Sequence, residues 1–445
     1  MFDTLIRGAE VVSPSGIKRK TIAIQDGRVV ALAEPGEALD AREEIDATGR
    51  IILPGLVDAH VHLREPGFTH KEDFVTGTLA AAAGGVTTLM DMPTDDPWTA
   101  TVAEFEQKRE LMDGRIHVDV ALQAAVGPDH EDVEKLAALG AISFELFLAG
   151  GRPDFQVNDD SDFRRLLLAI KAVDGVAGIT AGDPDLVAKL SGEIKESGRC
   201  DIAAFNAVRP PEAEVPGVRR ACAMAAETGA RIHLRQMSCA ASVEVLGRFA
   251  GNDAISSEVT PHNLLLTDRD AARLGPFGAV IPPLRSDSDC SALQGALRDG
   301  VIDIVATDHA PHLRDEKERG RDDIWKAAPG LPGVQTFGSV MLELVDRGAL
   351  SLESLVHACA EQPARLFGLY PRKGAIAVGS DADLVIVDQN TTTQITDEDQ
   401  LSRAGWTPFA GLAMAGRMDR VILRGQTICV NGQVADTQVG QFVKP

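Results

Sequence analysis

Two short segments of the chain carry side chains that can bind a metal ion. His60 and His62 lie at the end of one apolar stretch, and Asp308 follows another apolar stretch far downstream. Because residues i and i+2 of a strand project to the same side, the two imidazoles can face one ion. Two imidazoles and one carboxylate, with a position left for water, match the ligand pattern of catalytic metal sites. The spacing therefore predicts a site that activates water.

The segments that must position these residues alternate between strand-like and helix-like patterns. The alternation across residues 53–374 predicts an α/β fold, a (β/α)₈ barrel of parallel strands. A doubly wound sheet is the alternative, but no glycine-rich nucleotide fingerprint opens it. In a barrel the carboxyl ends of the strands carry the chemistry, and the predicted ligands lie at such ends. The predicted strands are residues 51–57, 86–91, 117–122, 142–147, 176–180, 231–235, 255–259 and 302–307.

Both ends of the chain have the pattern of short strands separated by polar turns. Asp26-Gly27 is a strong hairpin signal between two such strands. The pattern differs from that of the middle of the chain. We therefore expect one small β-sandwich domain built from residues 1–52 and 375–445, with the barrel domain, residues 53–374, between them.

The composition is that of a soluble globular protein. The 445 residues carry a formal net charge of −22, which argues against a nucleic acid or an anionic membrane as partner. The six cysteines have no C-x-x-C spacing, a pattern typical of reduced thiols. The N-terminal residues lack the pattern of a signal peptide, and no apolar run is long enough to span a bilayer. We expect a cytoplasmic protein.

Further motifs accompany the two metal-binding segments and extend over essentially the whole chain. They are residues 58–67 (Asp-Ala-His-Val-His-Leu-Arg-Glu-Pro-Gly), 71–73, 76–78, 82–88, 91–93, 260–262, 282–285 and 307–312 (Thr-Asp-His-Ala-Pro-His). Together they resemble the signatures of dihydroorotases and, more loosely, those of allantoinases and hydantoinases. The resemblance implies a metal-dependent hydrolase that opens a cyclic amide or ureide ring and that forms homodimers or homotetramers.

The resemblance also assigns roles to individual side chains. Asp308 would hold metal and carry a proton to the leaving nitrogen. Arg64 and His312 match positions that bind the substrate carboxylate in dihydroorotases, and arginine suits a carboxylate by its bidentate geometry. Thr94 and His262 would also contact substrate, although dihydroorotases have asparagine in place of Thr94. A surface ion pair for Arg64 and a packed core position for His262 are the alternatives.

Three positions depart from the family pattern, which uses two metal ions. Glu145 stands where a carboxylated lysine bridges the ions, while Thr180 and Gln236 stand where histidines bind the second ion. Neutral Thr and Gln side chains are weak ligands compared with imidazole. We therefore expect one ion at most, and zinc by ligand type. The expected ligands are His60, His62, Asp308 and Glu145.

The sequence leaves other interpretations open. The remaining polar groups could hydrogen-bond one another and hold no metal. The chain would then be a non-catalytic homologue that serves as a structural or regulatory partner. A hydrolase of another ring, of the allantoinase or hydantoinase type, is a further alternative. The hydrolase is favoured because a scaffold has no reason to keep the histidine pair, Asp308, Arg64 and His312 together.

Overall fold

The structure is a computed structural model, and it describes residues 1–130 and 132–445. Its strands alternate with helices in the middle of the chain and follow one another directly at the ends. In chain order the strands are β1 (Phe2–Arg7), β2 (Glu10–Ser13), β3 (Gly16–Arg19), β4 (Thr21–Gln25), β5 (Arg28–Ala33), β6 (Ala41–Asp46), β7 (Ile51–Pro54), β8 (Leu56–Val61), β9 (Val86–Asp91), β10 (Asp119–Leu122), β11 (Ala124–Ala125), β12 (Phe144–Phe147), β13 (Ala177–Thr180), β14 (Ile232–Leu234), β15 (Ile255–Val259), β16 (Ile304–Val305), β17 (Leu384–Gln394), β18 (Ala413–Leu423), β19 (Gln426–Val430) and β20 (Gln433–Val434).

Many of the helices begin at an Asp, Ser or Thr whose side chain accepts a hydrogen bond from the first turn. Asp73, for example, accepts from the backbone N–H of Thr76 at 2.8 Å. In chain order the helices are α1 (Phe74–Ala83), α2 (Val102–Met112), α3 (Val133–Leu139), α4 (Asp160–Ala172), α5 (Pro184–Glu196), α6 (Ile202–Ala207), α7 (Pro211–Thr228), α8 (Ala240–Gly247), α9 (Pro261–Leu265), α10 (Asp268–Leu274), α11 (Asp287–Arg298), α12 (Arg314–Glu318), α13 (Phe337–Asp346), α14 (Leu352–Val356) and α15 (Gln362–Leu366).

The strands from β8 to β16 pair in parallel and in chain order. One sheet runs β10-β9-β8, and a second runs β11-β12-β13-β14-β15-β16. β10 and β11 are separated by Gln123 alone, so they continue one path along the chain. A parallel bridge between Val61 and His309 brings the segment after β16 back beside the end of β8. The predicted α/β barrel fold is confirmed.

The two chain ends together form the predicted β-sandwich. One sheet has the order β5-β4-β1-β6, and the other has the order β20-β19-β18-β17-β7-β2-β3. β17 pairs antiparallel with β7, so the C-terminal strands continue the N-terminal sheet. An apolar cluster that includes Ile6, Ile22 and Leu384 fills this domain. The domain limits at residues 52 and 375 stay a prediction.

Two local features of the sequence have different outcomes in the structure. Asp26 and Gly27 join β4 to β5 with φ of 52° and 74°, as a two-residue hairpin turn requires. The single strand predicted over residues 51–57 is wrong, because Gly55 separates β7 of the sandwich from β8 of the barrel. A side chain at Gly55 would collide with Thr87, since an added Cβ would lie 2.1 Å from its Oγ1.

A buried group of charged side chains lies between the barrel and the sandwich. Lys373 Nζ is 2.5 Å from Oδ2 of Asp119 on β10, 2.7 Å from Oδ2 of Asp383 and 3.1 Å from Oδ2 of Asp381. Arg424, which follows β18, also pairs with Asp119. We call these five residues the junction cluster. Because their elements come from both domains, the cluster fixes the sandwich against the barrel.

Within the described part of the chain, the helices are too short or too polar to cross a membrane.

Candidate active site

The end of β8 and the segment after β16 bring three predicted ligands together. Nε2 of His60 lies 3.4 Å from Oδ1 of Asp308, and Nε2 of His62 lies 3.2 Å from the same oxygen. One ligand atom from each residue falls within 4.8 Å of the other two. We call these three residues the ligand cluster. Four ligands about 2.1 Å from a tetrahedral zinc ion stand about 3.4 Å apart, so the two distances to Asp308 fit such an ion.

A buried aspartate ties the two segments of the ligand cluster to each other. Asp58 on β8 accepts hydrogen bonds from the backbone N–H of Thr307 at 2.9 Å and from its hydroxyl at 2.5 Å. Burial raises the pKa of Asp58 to about 6, although the bonds from Thr307 oppose the change. Asp58 thereby fixes the position of Asp308, the next residue after Thr307.

Nδ1 of each of the two imidazoles, the nitrogen that does not face Asp308, has a hydrogen-bond partner of its own. Nδ1 of His60 lies 2.5 Å from Oε1 of Glu258, and Nδ1 of His62 lies 3.0 Å from the hydroxyl of Thr94. Such partners fix the ring orientation of histidines that bind metals. Thr94 was predicted to contact substrate; it lines the cavity, and its hydroxyl also orients His62. Both Nε2 atoms are left facing Asp308.

The charges around the ligand cluster favour a cation at its centre. Burial alone lowers the pKa of His60, but the carboxylates of Glu258 and Asp308 outweigh burial and raise it. Burial lowers the pKa of His62 to about 3. Burial raises the pKa of Asp308, yet the two histidines lower it below its ordinary value. Because Nδ1 of His60 donates to Glu258, its Nε2 can face the Asp308 carboxylate only with a proton or a metal ion between them.

Three residues around the ligand cluster have a left-handed backbone that is rare outside glycine. The φ angles are 62° at Arg64, 55° at Gln236 and 44° at Asp308. All three side chains line one cavity. Strained backbone of this kind concentrates at functional sites, where the surrounding structure must hold it.

The structure does not bring Glu145 into the ligand cluster. Its Oε1 accepts from Nη2 of Arg235 at 2.5 Å, and its Oε2 accepts from Nε of Arg235 at 3.2 Å. The hydroxyl of Ser143 also donates to Oε1 at 3.1 Å. Both oxygens are therefore occupied, and the expected fourth ligand is instead the partner of an arginine.

Arg235 is the main residue of the site that sequence reasoning missed. It is buried, and it pairs with Glu258 at 3.0 Å as well as with Glu145. The sequence offered two signals. A charged residue, Arg235, lies within the predicted strand 231–235, and β12 has a glutamate where the family has a lysine. A charge of opposite sign on another strand of the same sheet could have been inferred from that exchange.

The other substituted positions also have defined places. The side-chain amide of Gln236 donates to Oδ2 of Asp308, so it holds the carboxylate whose Oδ1 faces the histidines. Thr180 lines the cavity. His233 points away from the ligand cluster, because its ring nitrogens contact Ser256 at 2.9 Å and Glu258 at 3.0 Å.

A cavity of about 710 Å³ opens over the ligand cluster, and Arg64 and His312 line it. Nε of Arg64 is buried without a hydrogen-bond partner, so this guanidinium has donors to offer a ligand. His312 is more fully engaged, since Nε2 lies 3.0 Å from the carbonyl of Pro329 and Nδ1 lies 3.3 Å from Nζ of Lys71. Burial, together with the charges of Arg64 and Lys71, lowers the pKa of His312 to about 2.

His262 lies close to the ligand cluster but not at the cavity wall. Its Nε2 is buried without a hydrogen-bond partner. Burial lowers the pKa of His262 to about 4, and the charges of Asp308 and His60 also act on it. Among the described residues that line the cavity, His262 is absent. The predicted contact with substrate and the alternative of a packed core histidine both stay predictions.

Comparison of the chain with known proteins shows the family to which it belongs. The profile of the Amidohydrolase family matches residues 51–428. A dihydroorotase of Methanosarcina mazei is 36% identical over 421 residues, which cover 93% of this chain and 91% of that protein. An allantoinase of Solibacter usitatus is 33% identical over 452 residues, which cover 100% of this chain and 97% of that protein. The solved structure of an L-hydantoinase (dihydropyrimidinase) from Arthrobacter aurescens is 34% identical, covers 100% of both chains and has a TM-score of 0.97.

A barrel of parallel strands with metal-binding side chains at its carboxyl end is an architecture that suits a metal-dependent hydrolase. This chain belongs to the amidohydrolase family. Within that family it is a cyclic amidohydrolase related to hydantoinases, dihydroorotases and allantoinases. The resemblance drawn from the sequence motifs is confirmed.

Proposed function

We propose that this protein hydrolyses a cyclic amide or ureide that carries a carboxylate, with one zinc ion held by His60, His62 and Asp308. The observation that supports the proposal is the convergence of two imidazole Nε2 atoms on one oxygen of Asp308, at 3.4 and 3.2 Å. Each imidazole is oriented by a separate partner, as in other histidine metal sites. Two imidazole nitrogens directed at one carboxylate oxygen form an arrangement that a bound ion would stabilise.

The chemistry follows from the position of Asp308. A bound ion would supply activation of water and polarisation of the ring carbonyl. The two histidines keep the pKa of Asp308 low, so its carboxylate is ready to accept a proton from the attacking water. As the ring C–N bond breaks, that proton passes from Asp308 to the leaving nitrogen, and the hydroxyl stays on the carbonyl carbon. Gln236 holds Oδ2 of Asp308 in place for the transfer.

The preference for a carboxylate rests on Arg64. Its guanidinium lines the cavity, and its buried Nε lacks a partner. Burial lowers the pKa of Arg64, but the carboxylates of Asp95 and Asp308 oppose the change, and the group stays cationic. A bidentate carboxylate would satisfy the free donors.

A neutral hydantoin-type ring is the second candidate substrate. It is favoured by His312, since both ring nitrogens already contact Lys71 or Pro329 and neither is free for a carboxylate. The likeness to an L-hydantoinase structure points the same way. The two candidates share the ring-opening step and differ in what Arg64 binds.

Metal analysis and a substrate panel test the proposal together. Protein purified without chelator should contain close to one divalent ion per chain, and zinc loading should not raise that content. A panel of cyclic ureides with and without a carboxylate should then reveal ring opening by loss of ultraviolet absorbance or by product chromatography. Chains that hold no ion after zinc loading would contradict the proposal and favour a non-catalytic partner.

The cytoplasmic location and the homodimer or homotetramer implied by the resemblance stay predictions. Light scattering after size-exclusion chromatography tests the oligomeric state directly.

A further inference from the structure

A single arginine has all of its donors engaged inside the barrel. Arg235 has five N–H groups, and its guanidinium makes five hydrogen bonds. It donates to both oxygens of Glu145 at 2.5 and 3.2 Å and to Oε2 of Glu258 at 3.0 Å. It also donates to the carbonyl of Ala59 at 3.1 Å and to Oε1 of Gln123 at 2.5 Å. No donor of Arg235 is left for a substrate. The role of Arg235 must therefore lie in the side chains and backbone that it binds.

Two of these bonds lead to the metal-binding histidine. Glu258 uses Oε2 for Arg235 and Oε1 for Nδ1 of His60, which lies 2.5 Å away. Ala59, whose carbonyl accepts from Arg235, directly precedes His60 in β8. Arg235 thus reaches His60 both through the carboxylate that orients its ring and through the strand that carries it.

The charges explain why a cation is needed at this place. The side chains of Glu145 and Glu258 are fully buried, as is that of Arg235. Burying two carboxylates without a counter-charge is strongly unfavourable. The guanidinium lies between them and binds both, so it occupies the space that a metal ion would need in order to do the same.

We propose that Arg235 is a positioning residue that replaces a metal ion between Glu145 and Glu258 and that, through Glu258, fixes His60 with its Nε2 toward Asp308. The inference rests on the proposed metal site at His60, His62 and Asp308. The site accordingly takes one ion, and the affinity for that ion depends on a side chain that never touches it.

Zinc affinity of an Arg235→Met variant is the first test. Removal of partners that orient metal ligands typically weakens metal binding by about 10- to 100-fold. We expect a loss of that size in competition titrations with a zinc chelator, scored per folded chain. Arg235→Lys should fall between the variant and the native protein, since it keeps the charge but has three donors instead of five. Unchanged affinity in Arg235→Met would overturn the inference.

Lys373→Met provides a matched control. Lys373 is another buried cation that contacts three carboxylates, but it lies in the junction cluster. We expect this variant to lose stability and to keep the zinc affinity of its folded fraction. An equal loss of affinity in both variants would mean that any buried cation matters, and it would overturn a specific role for Arg235.

Two further measurements remain decisive if Arg235→Met does not fold. Glu258→Gln keeps the shape of the side chain that links Arg235 to His60, and we expect it to weaken zinc binding about tenfold; unchanged affinity would remove the link. A crystal structure of the zinc-loaded native protein should show one ion bound by Nε2 of His60. An ion between Glu145 and Glu258 would overturn the inference, whereas native protein that binds no zinc would overturn the proposed function instead.

Discussion

Among the residues that the structure describes, two groups of three side chains lie close enough to hold a metal ion, and they differ in what neutralises them. In each group one ligand atom per residue falls within 4.8 Å of the others. One group belongs to the junction cluster between the domains, and the other is the ligand cluster at the cavity. The groups are Asp119, Asp381 and Asp383, and His60, His62 and Asp308.

The junction cluster is filled by cations of the chain itself. Lys373 contacts all three of its aspartates, and Arg424 contacts Asp119. In the described part of the chain, Asp308 forms its ion pairs with histidines alone. Closeness of ligand atoms therefore does not distinguish a metal site from an ion pair. The difference lies in whether a lysine or arginine already occupies the centre.

The largest expected effect separates the two clusters by activity. Asp308→Asn removes both a ligand and the proton carrier, so we expect turnover of the best substrate to fall by at least about 10³-fold. Asp383→Asn is the matched change in the junction cluster, and activity per folded chain should stay within about twofold of native, because Asp383 is not among the described residues that line the cavity. Steady-state kinetics on both variants measures the two losses of turnover. A comparable loss in Asp383→Asn would contradict a catalytic role that is specific to the ligand cluster.

The next effect separates the clusters by stability. Lys373→Met removes the one side chain that contacts all three buried aspartates, although Arg424 still pairs with Asp119 and Arg372 with Asp381. Breaking a buried ion pair from one side costs about 3–5 kcal/mol. Urea unfolding should show a lower midpoint with an unchanged slope. With zinc added to both proteins, the difference in stability from the native protein should stay the same if the junction cluster is purely an ion-pair network, because both proteins bind zinc at the ligand cluster. A difference that disappears in zinc would make this cluster a metal site that Lys373 normally blocks.

The ligand cluster could be predicted from the sequence because its parts are local. His60 and His62 are two residues apart on one strand, and Asp308 follows another strand end. Barrel topology brings the carboxyl ends of all strands to one rim, so the fold itself supplies the long-range contact. The alternating pattern of strands and helices was enough to predict that fold.

The cations that fill the other positions could not be predicted in the same way. Arg235 meets Glu145 across 90 residues, and Lys373 meets Asp119 across 254 residues. No local periodicity indicates such pairs, since each depends on how distant strands are aligned. Glu145 was expected to bind metal because it stands where the family has a bridging carboxylated lysine, and the sequence did not show that an arginine would pair with it.

Zinc should stabilise the native protein through the ligand cluster alone. An ion that binds only the folded state at 100 times its Kd adds about 2.7 kcal/mol to the free energy of unfolding. We expect thermal unfolding of the native protein to shift upward with zinc and to return on addition of chelator. Asp308→Asn should respond much less, and Lys373→Met should respond as the native protein does. An equal response in all three proteins would place the ion outside the ligand cluster.

Acid should weaken zinc binding through His60. Burial lowers the pKa of His60, but Glu258 and Asp308 outweigh burial and raise it above its ordinary value. A proton on Nε2 and a metal ion compete for the same lone pair, so affinity falls as the pH drops below that pKa. The expected slope is about tenfold, or 1.4 kcal/mol, per pH unit for one proton. Titration calorimetry from pH 8 downward measures the slope, and a flat profile would contradict this protonation at His60.

The smallest effect concerns the substrate and decides between the two candidate rings. Arg64→Lys keeps a positive charge at the cavity but loses the fork that binds a carboxylate at two points. For a substrate with a carboxylate we expect KM to rise about fivefold, or about 1 kcal/mol, with little change in kcat, because the contact is present before and during the reaction. A neutral ring should show no change in KM. If KM rises equally for both substrates, Arg64 acts on the site by a route other than a carboxylate contact, and the preference for a carboxylate fails while the ring-opening chemistry stands.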